Sequence, residues 1–164
     1  MRSKVFRVSG FGVRVTNLNK RYKVNEHLVT KIITKILKSL KKEKQIELEA
    51  VFLDDKSIRK LNKRYKEEDA PTDVLSFKID RKEFGEKRFL GEIFISIDTA
   101  RRNSKVFGTD IGEEAVLYII HGILHLFGYD DLRARDRLCM SKKQEKILCQ
   151  LRKRQNLSKV LTPR

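Results

Sequence analysis

The sequence predicts an α+β fold, a small mixed sheet packed with helices, and three observations carry it. Segments of period two intermix with segments of period 3.6 without strict βαβ alternation. One stretch, "DIGEEAVLYIIHGILHLFG" (110–128), is apolar on nearly every side and must form a buried central helix. The chain has 164 residues, 40% hydrophobic and 37% charged, which suits one domain (1–164) with a real core.

The elements follow in order. "GVRVTN" (12–17) reads as a short strand. "NEHLVTKIITKILKSLKKEK" (25–44) places Leu28, Ile32, Ile36 and Leu40, joined by Val29, Ile33 and Leu37, on one helical stripe, with Asn25 as its cap. "QIELEAVFL" (45–53) alternates like a half-buried strand. "SIRKLNKRYK" (57–66) predicts a short helix with Ile58, Leu61 and Tyr65 inward. "DAPT" (69–72) breaks the pattern, because proline lacks an amide hydrogen and disfavours helix before it. "DVLSFKI" (73–79) and "GEIFISID" (91–98) are strands flanking a charged loop with Gly85, and "TARRNSKVF" (99–107) is helical. Asp110 and Glu113 make a capping-box-like start to the central helix, and a last helix spans about 133–153.

The formal charge is +16, from 38 Lys and Arg against 22 Asp and Glu. It points to a polyanionic partner, nucleic acid or an anionic surface, and says little about fold. Both ends are basic. Residues 1–25 carry Arg2, Lys4, Arg7, Arg14, Lys20, Arg21 and Lys23 with no acid, and 151–164 carry Arg152, Lys153, Arg154, Lys159 and Arg164 with none. No apolar run approaches the roughly 18–20 residues that span a membrane, and the N-terminus lacks a signal-peptide core. A cytoplasmic protein is expected. Cys139 and Cys149 on one helix would sit about 15 Å apart, beyond disulfide reach, so free thiols are expected.

"HGILHLFGYDD" (121–131) carries the chemistry. Residues four apart share a helix face, so His121 and His125 point the same way, at the spacing that lets two imidazoles bind one metal ion. Gly128 supplies the positive φ that ends a helix, and the chain then folds back to bring Asp130 or Asp131 toward the pair. Two imidazoles and one carboxylate leave a fourth position for water, as in catalytic zinc sites, although this donor mix also suits other divalent transition metals. A lone histidine in an apolar helix is more often a satisfied core residue. Two of them, buried without partners, would cost on the order of 1–3 kcal/mol each. His27 has no partner in view and reads as a surface residue. The protease motif H-E-x-x-H needs its general base where this chain has Gly122, which weighs against a metallopeptidase.

These residues, with "LNKRYKEEDAPTDVLSF" (61–77) and "LGEIFISIDTA" (90–100), resemble the YbeY family of bacterial metal-dependent endoribonucleases, in order from residue 45 to about 151. The resemblance implies a compact α+β domain with a four-stranded sheet and a zinc-type ion in a cleft at the end of the central helix. It implies single-strand cleavage in ribosomal RNA maturation (the 16S 3′ end) and ribosome quality control, with the small ribosomal subunit and ribosome-associated proteins as partners. The metal ligands carried over are His121, His125 and Asp131, and the phosphate-contacting catalytic residue is Lys66.

Two positions depart from the family pattern. A histidine ligand is replaced by Asp131, leaving Asp130 to orient a ligand or accept a proton. The arginine after the tyrosine of "LNxxY" is replaced by Lys66, which keeps charge but loses bidentate phosphate recognition; Arg64 would be the neighbour able to compensate. Asp73 and Ser76 either shape the cleft or serve as turn and strand residues. The rival reading is a ribosome-assembly factor that only binds RNA and whose metal is structural, with Cys139 as its conceivable fourth ligand.

Overall fold

The computed structural model describes residues 5–8, 10–40, 45–82 and 88–164. A mixed sheet of five strands organises it, in the order β1-β2-β4-β6-β5. Three parallel strands form its middle: β2 (Phe11–Asn17), β4 (Ile46–Leu53) and β6 (Arg88–Ser96). β5 (Val74–Lys82) closes one edge antiparallel to β6. The other edge is β1 (Val5–Val8), antiparallel to β2 from Val5↔Arg14 to Val8↔Phe11. β1 is the strand that a four-stranded sheet omits. Its four residues are too few for periodicity to separate them from the basic end in which they lie.

β4 explains the layers. Ile46, Leu48, Ala50 and Phe52 point to one face, and the large core gathers there with α1 (Glu26–Leu40) and α4 (Ile111–Leu126). Val51 and Leu53 point to the other face, where Ile58 of α2 (Asp55–Lys66) covers them in a smaller cluster with Leu75. Glu47 and Glu49 lie on that second face beyond the helix, so the strand alternates at its start and is buried throughout at its end.

The helix starts are set by caps. Asp54 accepts the Ser57 amide at 2.8 Å, so α2 begins two residues before the expected 57. Ser96 accepts the Thr99 amide at 3.1 Å, so α3 (Ile97–Phe107) takes the residues expected to end β6. Asp110 caps α4 by accepting the Gly112 amide at 2.7 Å, while Glu113 pairs with Arg152 of α5 (Ala134–Arg152). Tyr65, expected inward, is 56% exposed and meets Phe77 edge-on, 4.9 Å between ring centroids. The helical end 41–44 and the charged loop around Gly85 lie outside the described residues.

The basic tail also packs. A 3₁₀ turn (Leu157–Val160) buries Leu157 and Val160, and β7 (Leu161–Pro163) pairs antiparallel with β3 (Tyr22–Val24). No described helix is long and apolar enough to cross a membrane.

α4 crosses β5 and β6 at very close range. A Cβ on Gly122 would meet Ile93 Cγ2 and Ser76 Oγ at 3.0 Å and Val74 Cγ2 at 3.1 Å. Ile93 and Val74 are core residues with nowhere to retreat. Gly122→Ala should therefore lose stability despite a helix-propensity gain of about 1 kcal/mol, because overpacking costs about 1–3 kcal/mol. Gly122→Glu should fail to fold. Urea unfolding of the purified variants measures both, and an alanine variant clearly more stable than the parent would contradict the packing.

Candidate metal centre

From Glu113 onward, α4 leaves only four positions less than fully buried: Glu113, Leu117, His121 and His125, each four residues after the last. The histidines thus lie on the one stripe that is not core. α5 runs antiparallel along it, since Glu113 pairs with Arg152 and His121 Nδ1 lies 3.1 Å from Gln144 Oε1. Both spacings are eight residues, in opposite directions.

The end of α4 is built to fold the chain back. The Gly128 amide donates to the His125 carbonyl at 2.9 Å and the Tyr129 amide to the Leu124 carbonyl at 3.0 Å. Gly128 has φ +86°, the left-handed conformation this helix ending needs and glycine accepts freely. Asp130 Oδ1 then accepts the amides of Asp131 (2.7 Å) and Leu132 (3.1 Å), a local turn that aims Asp131 back at the histidines. Arg137 of α5 grips the same turn, its Nε donating to the Asp131 carbonyl at 3.0 Å.

The outcome is a triangle. His121 Nε2 and His125 Nε2 are 3.0 Å apart, and Asp131 Oδ2 is 3.7 Å from the first and 3.8 Å from the second. Among the described residues these three alone bring ligand atoms together in a group of metal-binding type, all within 4.8 Å. Their side chains are 28%, 31% and 42% exposed, so the group is partly accessible to solvent.

The donor chemistry fits a cation. His125 Nδ1 donates to the Tyr129 carbonyl at 3.0 Å, so the neutral ring keeps its lone pair on Nε2, inside the triangle. Burial, foremost, and then the neighbouring His121 push the His125 pKa down. Asp131 and the Tyr129 carbonyl pull it up, and the Lys66 charge adds a small depression. A neutral ring is the ligand form. Two imidazole nitrogens at 3.0 Å, closed by a carboxylate at 3.7 and 3.8 Å, present electron pairs that one cation satisfies together.

The remaining sequence candidates fall into place around this centre. Lys66 ends α2, is exposed, and makes no ion pair among the described residues, and its charge is felt at His125. The guanidinium of Arg64 lies over the Tyr65 ring, 5.4 Å from the centroid. Asp73 is a turn residue whose carboxylate accepts from the Val74 amide and the Thr72 hydroxyl. Ser76 donates to the Gly122 carbonyl at 3.1 Å, beneath the helix rather than in the site. His27 is exposed, and Cys139 and Cys149 are exposed free thiols outside the triangle. Sequence reasoning missed Gln144, Arg137 and the Tyr129 carbonyl. Only the last had a local signal, the helix ending at Gly128.

Gly122 takes the position of a protease base and faces the sheet, where a Cβ would already be tight against Ile93, Ser76 and Val74, so this helix carries no general base in that place.

Comparison with known proteins agrees with the geometry. The family model described as "Endoribonuclease YbeY" matches residues 14–152. A protein of that name from Pelotomaculum thermopropionicum is 36% identical over 146 residues, covering 85% of this chain and 96% of its own. One from Aquifex aeolicus is 48% identical over 85 residues, 52% of this chain and 56% of its own. A solution structure from Thermotoga maritima superposes with a TM-score of 0.57 at 26% identity, covering 83% of this chain and 86% of that one. A match over this span, embracing both histidines, Asp131 and the helices that present them, means that the chain belongs to the YbeY family of endoribonucleases.

Proposed function

We propose that this chain cuts single-stranded RNA at the His121–His125–Asp131 centre, acting on ribosomal RNA of the small subunit (16S 3′ end maturation and ribosome quality control). It would do so in the cytoplasm, as a single hydrolase domain with basic ends, alongside ribosome-associated proteins. That it is a metal-dependent endoribonuclease follows from its family. The observation that carries the site assignment is a three-donor triangle within 4.8 Å whose side chains are partly exposed to solvent. Zn²⁺ is the proposed ion, because two imidazoles and one carboxylate are a catalytic zinc donor set.

A divalent ion at this site supplies the Lewis acidity that activates water and draws charge from a phosphodiester. The protein's part is orientation and charge. The Tyr129 carbonyl fixes the His125 tautomer, Gln144 fixes the His121 ring, and the Asp130 turn aims Asp131. Lys66 places a cation for the phosphate oxygens as their charge grows. The charge of +16 draws the polyanion in.

The rival reading, a structural metal in a protein that only binds RNA, needs a fourth protein ligand. Cys139 is exposed and outside the triangle, and no other candidate joins it among the described residues.

The decisive variants are His121→Ala and His125→Ala. Each should lose stoichiometric metal, read by mass spectrometry of the purified protein, and RNA cleavage should fall by more than about 100-fold. Retention of both properties would refute the assignment. Gln144→Ala should keep the fold and lower metal affinity or activity by about 10- to 100-fold. Lys66→Ala should lower cleavage by about 100-fold with metal retained, whereas Lys66→Arg, which restores a two-pronged donor, should match or exceed the parent. Chelation should abolish cleavage and leave the circular dichroism spectrum folded. Unfolding on chelation would favour a structural metal.

A further inference from the structure

The outer face of α1 carries a second pattern that the centre does not use. His27, Lys31, Lys35 and Lys38 recur at helical spacing, opposite the stripe that enters the core, with the buried Thr30 and Thr34 beside them. With Phe6 and Arg7 of β1 they line a groove of about 450 Å³. A second hollow of about 300 Å³ continues it past Lys35 and Lys38 to Gln150 of α5 and Arg154. No carboxylate lines either hollow among the described residues.

One feature sets this groove apart from a solvated lysine face. Lys31, Lys35 and Arg154 make no ion pair among the described residues, although they line one continuous pair of hollows and stand close enough to act on one another. Burial and then the charges of Lys31 and Arg154 push the Lys35 pKa down. Like charges four apart weaken a helix, and no ion pair among the described residues relieves Lys31 or Lys35. An anion in the groove would supply the missing counter-charge.

We propose that the α1 groove is a second binding site for the phosphate backbone of RNA, separate from the metal centre, with Lys31, Lys35 and Arg154 as its cations. Lys and Arg contacting phosphate oxygens hold a strand in register without reading its sequence. The groove is concave and the apolar side of α1 is spent in the core, which suits a strand rather than a membrane plane. The stripe from His27 to Lys38 runs roughly 16 Å, long enough for several phosphates. Arg154 follows the end of α5 at Arg152, which lies eight residues and roughly 12 Å beyond Gln144, so only an RNA longer than the cleaved segment reaches both sites. The proposal rests on the reading of the chain as an RNA-cutting enzyme.

The test is a Lys31→Gln/Lys35→Gln/Arg154→Gln variant of the full chain. Its binding to a long single-stranded RNA is titrated across a salt series beside the parent, and both proteins are assayed for cleavage of a short oligonucleotide. The variant should bind the long RNA more weakly whatever its sequence, and the slope of log affinity against log salt should shrink by about 2, at about 0.7 per lost contact. Short-oligonucleotide cleavage should be unchanged. Unaltered affinity and slope in the triple variant, with the short oligonucleotide still cut, overturn the groove and spare the metal centre. Absence of cutting by the parent overturns the enzymatic reading, and the binding slopes still decide the groove. Loss of binding to anionic lipid vesicles, with RNA binding intact, also overturns the proposal.

Discussion

The contact on which this structure turns is the approach of α4 to the sheet at Gly122. Ile93, Ser76 and Val74 come so near the helix backbone that its rotation is set, because turning it would drive a larger side chain into a space where even a Cβ is crowded. With that face committed, the residues around it, Ile119, Ile120, Ile123 and Leu126, fill the core. The stripe through His121 and His125 is then forced to the side where α5 and the turn after Gly128 approach. Packing of an apolar helix decides where the polar chemistry opens. A looser helix would hold the same histidines without a defined direction, and a metal centre tolerates little of that.

The centre divides its labour between local and distant parts of the chain. The helix supplies both imidazoles, and its ending supplies the Tyr129 carbonyl and the Asp130 turn. α5 supplies Gln144 behind one ring and Arg137 behind the backbone of Asp131. The aspartate in a position that resembles a histidine site of the family is well accommodated. Its Oδ2 stands at 3.7 and 3.8 Å from the two Nε2 atoms, so it closes the triangle evenly. It also adds a negative charge where a histidine would be neutral, and that charge counters the burial that depresses His125. Lys66 is the converse case. It keeps the sign of an arginine and gives up its planar fork.

Much of this was legible in the sequence, for identifiable reasons. α4 and its two histidines could be read because two imidazoles four apart on an otherwise apolar helix share one face. The turn could be read because Gly128 and the aspartates after it have narrow conformational uses. What could not be read depends on distant residues. β1 owes its strand to pairing with β2, and four residues carry no period of their own. Tyr65 has the spacing of an inward residue but lies past the edge of the small core under α2, so half its ring stays wet. Gln144 is one polar residue among many on α5, and only the antiparallel register of α4 and α5 makes it the partner of His121. The Lys face of α1 is periodic, yet beside the apolar stripe of the same helix it reads as the solvated side. Its groove exists only because β1 and α5 flank it.

α5 ties the two polar regions together. One end region, around Gln144 and Arg137, braces the metal centre, and the other, at Gln150 and the following Arg154, walls the basic groove. The helix is anchored between them by Ile147, Leu148 and Leu151 in the core and by the Arg152–Glu113 pair. A strand held in the groove is therefore referred to the metal centre through a single packed helix rather than through a loop. The separation of the two sites is fixed, and it is set by helix geometry. Charge placed at the far end can then raise the local concentration of RNA without entering the site or disturbing the neutral state its histidines need. That division suits an enzyme whose proposed cutting site offers one Lys and three ligands, too little surface to choose a long RNA unaided.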